Sequence, residues 1–194
     1  CKRVVFSSPV DLSSLKSVLL GEMANEVVLA GLFEQGLPKL ESLEIYDVQE
    51  QTYLWRSETR LLQDVRSLNR LQISSCPRLL SLVTEEEHDR QHPELPCRLR
   101  FLELRNCGGL TRLPQALLTL SSLTEMRIHG CASLVSFPEV ALPSQLRSVV
   151  IEECDALESL PEAWMHNSNS SLESLEIRSC NSLVSFPEAV SYTH

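Results

Sequence analysis

The side chains best suited to chemistry in this chain are its seven cysteines. Five of them, Cys76, Cys107, Cys131, Cys154 and Cys180, close the same short phrase, L-x-x-L-x-[IL]-x-x-C. A secreted disulfide framework needs an even number of thiols, and this number is odd. One thiol per phrase makes a row and not the tetrahedron that zinc requires. A thiol is small, apolar enough for burial and still a weak donor to a carbonyl, so the five read as rungs of a packed ladder. Cys1 and Cys97 fall outside it, and neither has a histidine at a spacing that would make it a nucleophile.

His88, Asp89 and His92 have the i, i+4 spacing of metal ligands. They lie in "VTEEEHDRQHPELP", a stretch that opens on glutamates and ends on Pro-Glu-Leu-Pro. That composition gives no rigid helix to hold an ion and reads as a solvated loop. Asn169-Ser170-Ser171 is a glycosylation tripeptide by pattern, of a kind that is frequent by chance. There is no Gly-x-Ser-x-Gly elbow and no Gly-x-x-x-x-Gly-Lys-[Ser/Thr] phosphate loop. The expectation is no catalysis, no metal and no cofactor in this segment.

The elements that place the thiols follow from repetition. The frame starts at Leu15, Leu40, Leu68, Leu99, Leu123, Leu146 and Leu172, and the first two copies end on Met23 and Val48 instead of cysteine. Starts 23 to 31 residues apart bracket the period of roughly 20–29 that marks leucine-rich repeats. Alternation inside the frame turns two apolar side chains to one face of a short strand. After each cysteine comes leucine at the third place, then Leu82, Leu113, Phe137, Leu160 or Phe186 at the sixth, with Pro114, Pro138, Pro161 and Pro187 following in four coils. Proline lacks an N–H and fixes φ, which suits an irregular return path with at most short helical turns, as in "PQALLTL" and "PEAWMHN".

No coil can bury its leucines alone, so neighbours above and below must do so. The fold class expected is an α/β solenoid: a right-handed leucine-rich-repeat horseshoe with a parallel sheet on the concave face and an irregular or short-helical convex face. Residues 1–194 form a single domain of about seven coils. The first residue is Cys1 and no secretory signal precedes it, so the chain reads as an excerpt of a longer one. Two coils carry insertions, Gln49 to Asp64 with Tyr53 and Trp55, and the acidic Val83 to Pro96.

Composition agrees with stacked identical layers, being 43% hydrophobic but only 5% aromatic. A net charge of −9 is the wrong sign for neutralising phosphates, which argues against nucleic acid and anionic membrane surfaces as partners. No apolar run reaches the ~18 residues of a membrane span.

Frame residues two, four, six and seven places after each starting leucine face away from the core. Taken together, Glu44, Tyr46, Gln72, Phe101, Glu103, Arg105, Arg127, His129, Glu152, Glu176 and Arg178 make a concave strip of mixed charge with a few aromatics. That is the composition of a protein-recognition surface rather than a catalytic pocket.

With L-x-x-L-x-I-x-x-C-x-x-L-x-x-[LF]-P in view, "LRSVVIEECDALESLPEAW" and "LPKLESLEI" carry a likeness to a known family. From Leu12 onward the chain resembles the repeat domain of plant intracellular nucleotide-binding, leucine-rich-repeat immune receptors of the coiled-coil class. The resemblance implies a cytoplasmic domain that recognises a pathogen effector or a host protein. It also implies contacts with other domains of the parent receptor that hold it inactive. The ATP/ADP switch of that family lies in a different domain. The Asn-x-Leu-x-Gly-x-Ile-Pro signature of secreted plant repeats is absent here. The competing readings are the substrate-recognition solenoid of an F-box ubiquitin ligase and a general leucine-rich-repeat scaffold.

Overall fold

The computed structural model describes residues 12–22, 37–55, 66–83, 98–113, 120–165 and 171–184. In chain order the strands are β1 (Ser17–Leu20), β2 (Ser42–Tyr46), β3 (Tyr53–Trp55), β4 (Arg70–Ser74), β5 (Ser81–Val83), β6 (Phe101–Arg105), β7 (Glu125–His129) and β8 (Ser148–Glu152). One short helix follows, α1 (Glu162–Met165), and then β9 (Ser174–Arg178). Seven strands form one sheet in the order β1-β2-β4-β6-β7-β8-β9, every neighbouring pair parallel.

The register repeats the frame without a slip. Val18, Leu43, Leu71, Leu102, Met126, Val149 and Leu175 stand in one line across the sheet. Leu20, Ile45, Ile73, Leu104, Ile128, Ile151 and Ile177 stand in the next. In β2 through β8 these positions are buried almost completely, together with the starting leucines. A one-residue slip in any coil would turn both apolar side chains to water, which is why the phase holds across unequal repeats. In β9 the same side chains are only partly buried, covered by the preceding coil alone among the described residues.

Backbone groups just before the sheet repeat as strictly. One carbonyl accepts two N–H groups from the next coil: Lys16 from Glu41 and Ser42, Glu41 from Asn69 and Arg70, Asn69 from Arg100 and Phe101. Arg100, Thr124 and Arg147 repeat the arrangement towards β7, β8 and β9. Past the strand, the seventh frame position adopts left-handed backbone in six coils: Asp47, Ser75, Asn106, Gly130, Glu153 and Ser179 have φ between 52° and 65°. This residue turns the chain into the core, and in the first five of these coils its N–H bonds the next coil's last strand carbonyl, as in Asn106 to His129 at 2.8 Å. The sequence reading placed this column among the outward strand residues; it is the corner instead.

Each cysteine then opens a tight turn. The leucine three places on donates its N–H to the cysteine carbonyl, at 3.2 Å for Leu79 to Cys76 and 3.0 Å for Leu134 to Cys131. That bond is the physical content of Cys-x-x-Leu.

The return path holds more ladder than its prolines suggest. Strands β3 and β5 pair in parallel as a second small sheet, so the start of the Gln49 insertion is strand. The same line continues as Val135 N–H to the Thr111 carbonyl and Glu158 N–H to that of Val135. Helix α1 realises one expected helical turn; its Trp164 packs on Phe137 with centroids 4.7 Å apart at 55°. The stretch 114–119, the side chain of Trp55, and Cys1, Cys97, His88, Asp89, His92 and Asn169 lie outside the described residues.

Candidate functional site

Two surfaces of the sheet hold the residues singled out by the sequence, and they differ in character. On the core side is the thiol row. Cys76, Cys107, Cys131 and Cys154 are buried and unbridged, and Cys180 is partly exposed and also free. Each Sγ–H donates to the last strand carbonyl of its own coil: Ser74 at 3.4 Å, Arg105 at 3.5 Å, His129 at 3.8 Å, Glu152 at 3.4 Å and Arg178 at 3.5 Å. All five of those carbonyls also take the left-handed N–H of the preceding coil, so the cysteine completes the corner.

This setting holds three of the thiols, Cys76, Cys107 and Cys154, protonated. Hydrogen bonding with Cys131 pushes the Cys107 thiol up to about 12, with burial adding to it. Burial is the first cause that pushes Cys154 up to about 11. Cys76 is raised too, first by its bond with Cys107 and then by burial. A thiol so held is a poor nucleophile and a poor metal ligand. Among the described residues no group of three or more His, Cys, Asp or Glu side chains is placed to hold a metal ion.

The open face carries the mixed strip. Glu103 is its most enclosed carboxylate, taking Gln72 Nε2 at 2.7 Å on one oxygen and Arg105 at 3.0 Å on the other. Arg127 donates Nε to Glu125 at 2.6 Å. Glu152 takes Arg178 at 3.2 Å and has His129 Nδ1 at 3.4 Å, while Glu153 lies 3.5 Å from the other ring nitrogen. Arg178 also pairs with Glu176. These charges answer one another along and across the strands.

Phe101 departs from the expectation of an exposed aromatic. It stands on the open face as alternation requires, yet it is 9% exposed. The Arg70 guanidinium, from the neighbouring strand β4, lies 3.9 Å from its ring centroid, and that of Arg127, from β7, lies 5.7 Å away. Cation–π attraction lets the two arginines cover a ring that would otherwise meet water.

Towards β1 the face changes. Leu19 is 60% exposed and Tyr46 36%. The Tyr46 ring lies over Gly21, where a Cβ would run into its phenol end. Glu44 is exposed, stands beside Leu19 in register and makes no ion pair among the described residues. Arg70 likewise has the Phe101 ring but no carboxylate. The fourth-place column of the strip already holds Leu19, but the strip as read from sequence omitted Arg70, although it stands in the column of Phe101; only its side-chain contact distinguishes it.

No family model matches the chain. Over 65 residues, 33% of the chain, it is 40% identical to a disease resistance protein of Arabidopsis thaliana. Over 72 residues, 37% of the chain, it is 32% identical to disease resistance-like protein DSC1 of the same plant. These segments span 5% and 6% of those two proteins. The fold is similar to the leucine-rich repeat domain of the type III effector XopL, with a TM-score of 0.56 at 19% identity, covering 93% of this chain and 66% of that one. Among the described residues no helix is long and apolar enough to cross a membrane. The architecture is a leucine-rich-repeat solenoid, and with its partial matches to plant resistance proteins the chain fits a leucine-rich-repeat domain of such a protein.

Proposed function

We propose that this chain is the non-catalytic recognition domain of a plant innate immune receptor, working in the cytoplasm without a cofactor of its own. Its open face takes a pathogen effector or a host protein, and other faces meet domains of the parent receptor to hold it inactive. The observation that carries the reading is the division of labour across the sheet. Thiols and leucines are sealed on one side, while Glu44, Tyr46, Gln72, Arg105, Arg127, His129, Glu152, Glu176 and Arg178 line the other. Side chains standing on rigid, hydrogen-bonded strands offer a preorganised surface, which lowers the ordering cost of association. The mixed charge of the strip sets partner choice and register more than raw affinity.

The test is split-luciferase complementation in leaf tissue between this chain and a panel of pathogen effectors and host proteins. A combined variant, Tyr46→Ala with Arg105→Ala, His129→Ala and Arg178→Ala, is compared with Arg147→Ala plus Glu173→Ala, an exposed pair before the strands. Signals lost in the first variant and kept in the second support the reading. Partners insensitive to the first variant overturn it.

A further inference from the structure

The open face is uniform in composition but not in what its groups lack. Over the strands β6 to β9 the charges are mutually satisfied: Glu103 by Arg105 and Gln72, Glu125 by Arg127, and Glu152 and Glu176 by Arg178. A partner landing there must strip water from pairs that already have their counter-charges, and the Coulomb gain it can add is small. Over β1, β2 and β4 the situation is the reverse. Leu19 and Tyr46 expose apolar surface, and Glu44 and Arg70 carry charges with no ion pair among the described residues.

Two of these groups are also held in place before any partner arrives. Tyr46 rests on Gly21, where even a methyl would displace it. Arg70 is stacked on Phe101 at 3.9 Å, and the Arg127 guanidinium lies 5.7 Å from the same ring. A fixed tyrosine and a fixed arginine lose little freedom on binding, and these residue types dominate interface hot spots. Arg70 is exposed and meets no carboxylate among the described residues, and a guanidinium can take a carboxylate in two parallel hydrogen bonds.

We infer that the contact centre lies over the first three coils, at Leu19, Glu44, Tyr46 and Arg70, and takes a short protein segment presenting, in order, an apolar side chain, a basic group and a carboxylate, because the register places Glu44 between Arg70 and the Leu19–Tyr46 pair. The carboxylate meets Arg70, the basic group meets Glu44, and the apolar side chain covers Leu19 and the Tyr46 ring. Strands about 4.8 Å apart, with about 3.3 Å per residue along them and Arg70 and Tyr46 four positions apart in register, put the whole patch within roughly 15 Å, the reach of an extended segment of about five residues. The inference rests on the open-face reading above and narrows it.

A random-peptide phage library selected on the 194-residue chain tests it. Peptides in which a basic residue stands between an apolar and an acidic one should be enriched. Their binding should weaken by about tenfold or more in Leu19→Ser and in Arg70→Glu. A charge exchange, Glu44→Lys with Arg70→Glu, should select the reversed order of charges. Each variant is surface-directed, and an unchanged circular dichroism spectrum confirms its fold. A selection that enriches nothing over Leu19→Ser overturns the inference. Peptides lost instead in Glu152→Ala with Arg178→Ala overturn it while leaving the open-face reading standing. Peptides indifferent to every open-face variant overturn both.

Discussion

Replacing Cys154 separates the two things its thiol does, filling space and closing the corner. Its side chain is fully buried, and its Sγ–H reaches the Glu152 carbonyl at 3.4 Å, a distance suited to sulfur. A serine hydroxyl sits on a shorter bond to Cβ and wants its acceptor near 2.7–2.8 Å, so the same carbonyl falls out of range. Cys154→Ser therefore buries a hydroxyl without a good partner, at about 1–3 kcal/mol. Cys154→Ala removes the sulfur and leaves a small void but no orphan donor, at about 1 kcal/mol. With a urea slope of about 2 kcal/mol per molar, serine lowers the unfolding midpoint by about 0.5–1.5 M and alanine by about 0.5 M. The order wild type, alanine, serine is the discriminating result, read from urea titrations by circular dichroism under reductant. The slopes should stay equal, since a changed slope signals that the coil unfolds separately from the rest. Serine as stable as wild type, or more stable than alanine, would refute the view that the slot is apolar first and polar second.

Other expectations follow from the same contacts. Cys76, Cys107 and Cys154 keep their protons in the native state while the unfolded chain releases them, so fewer protons are bound unfolded and stability falls as pH rises. The fall begins near the ordinary thiol value and continues through about 11 for Cys154 and about 12 for Cys107; urea midpoints that rise over that range would contradict it. Gly130→Ala forces a Cβ into left-handed backbone against the Asn106 amide and should cost about 1–2 kcal/mol, read as a lower melting temperature, whereas Ser179→Asn, at the same corner, should be neutral or stabilising. Phe101→Ala should cost less than Leu104→Ala, expected at about 2–5 kcal/mol, because the ring lies on the open face under arginines and not in the core; equal costs in parallel unfolding curves would place it in the core.

The solenoid was legible because its signal is periodic. Seven leucine frames fix which side chains share a line, and a parallel register with one inward side chain in two admits no other phase. Even Leu15 and Leu40, whose coils lack the cysteine, lead strands in step with the rest. The corner was harder to read. Gly130, Asn106 and Asp47 tolerate positive φ and could have announced it, but Ser75, Glu153 and Ser179 in the same column hide the signal. Strands β3 and β5 were missed for a related reason: they follow an apolar ladder position in coils whose insertions break the period that would have exposed them.

The candidate site was legible only as a surface, and the reason is geometric. A column of letters such as Glu44, Gln72, Glu103 and Arg127 gives the charges present but not which of them cancel. Cancellation depends on reach between residues that lie two apart in one strand, as Arg105 to Glu103, or a whole coil apart, as Arg178 to Glu152. Once those pairs are drawn, most of the mixed strip becomes electrostatically quiet. What remains are an exposed leucine, a tyrosine propped on a glycine, a carboxylate and a ring-stacked guanidinium. Recognition should concentrate where groups are both held and unanswered, because there a partner gains contacts without first breaking others. The paired charges around them still matter, since a wrong partner bringing a like charge against the Glu152–Arg178 end meets repulsion with no compensating ion free to move.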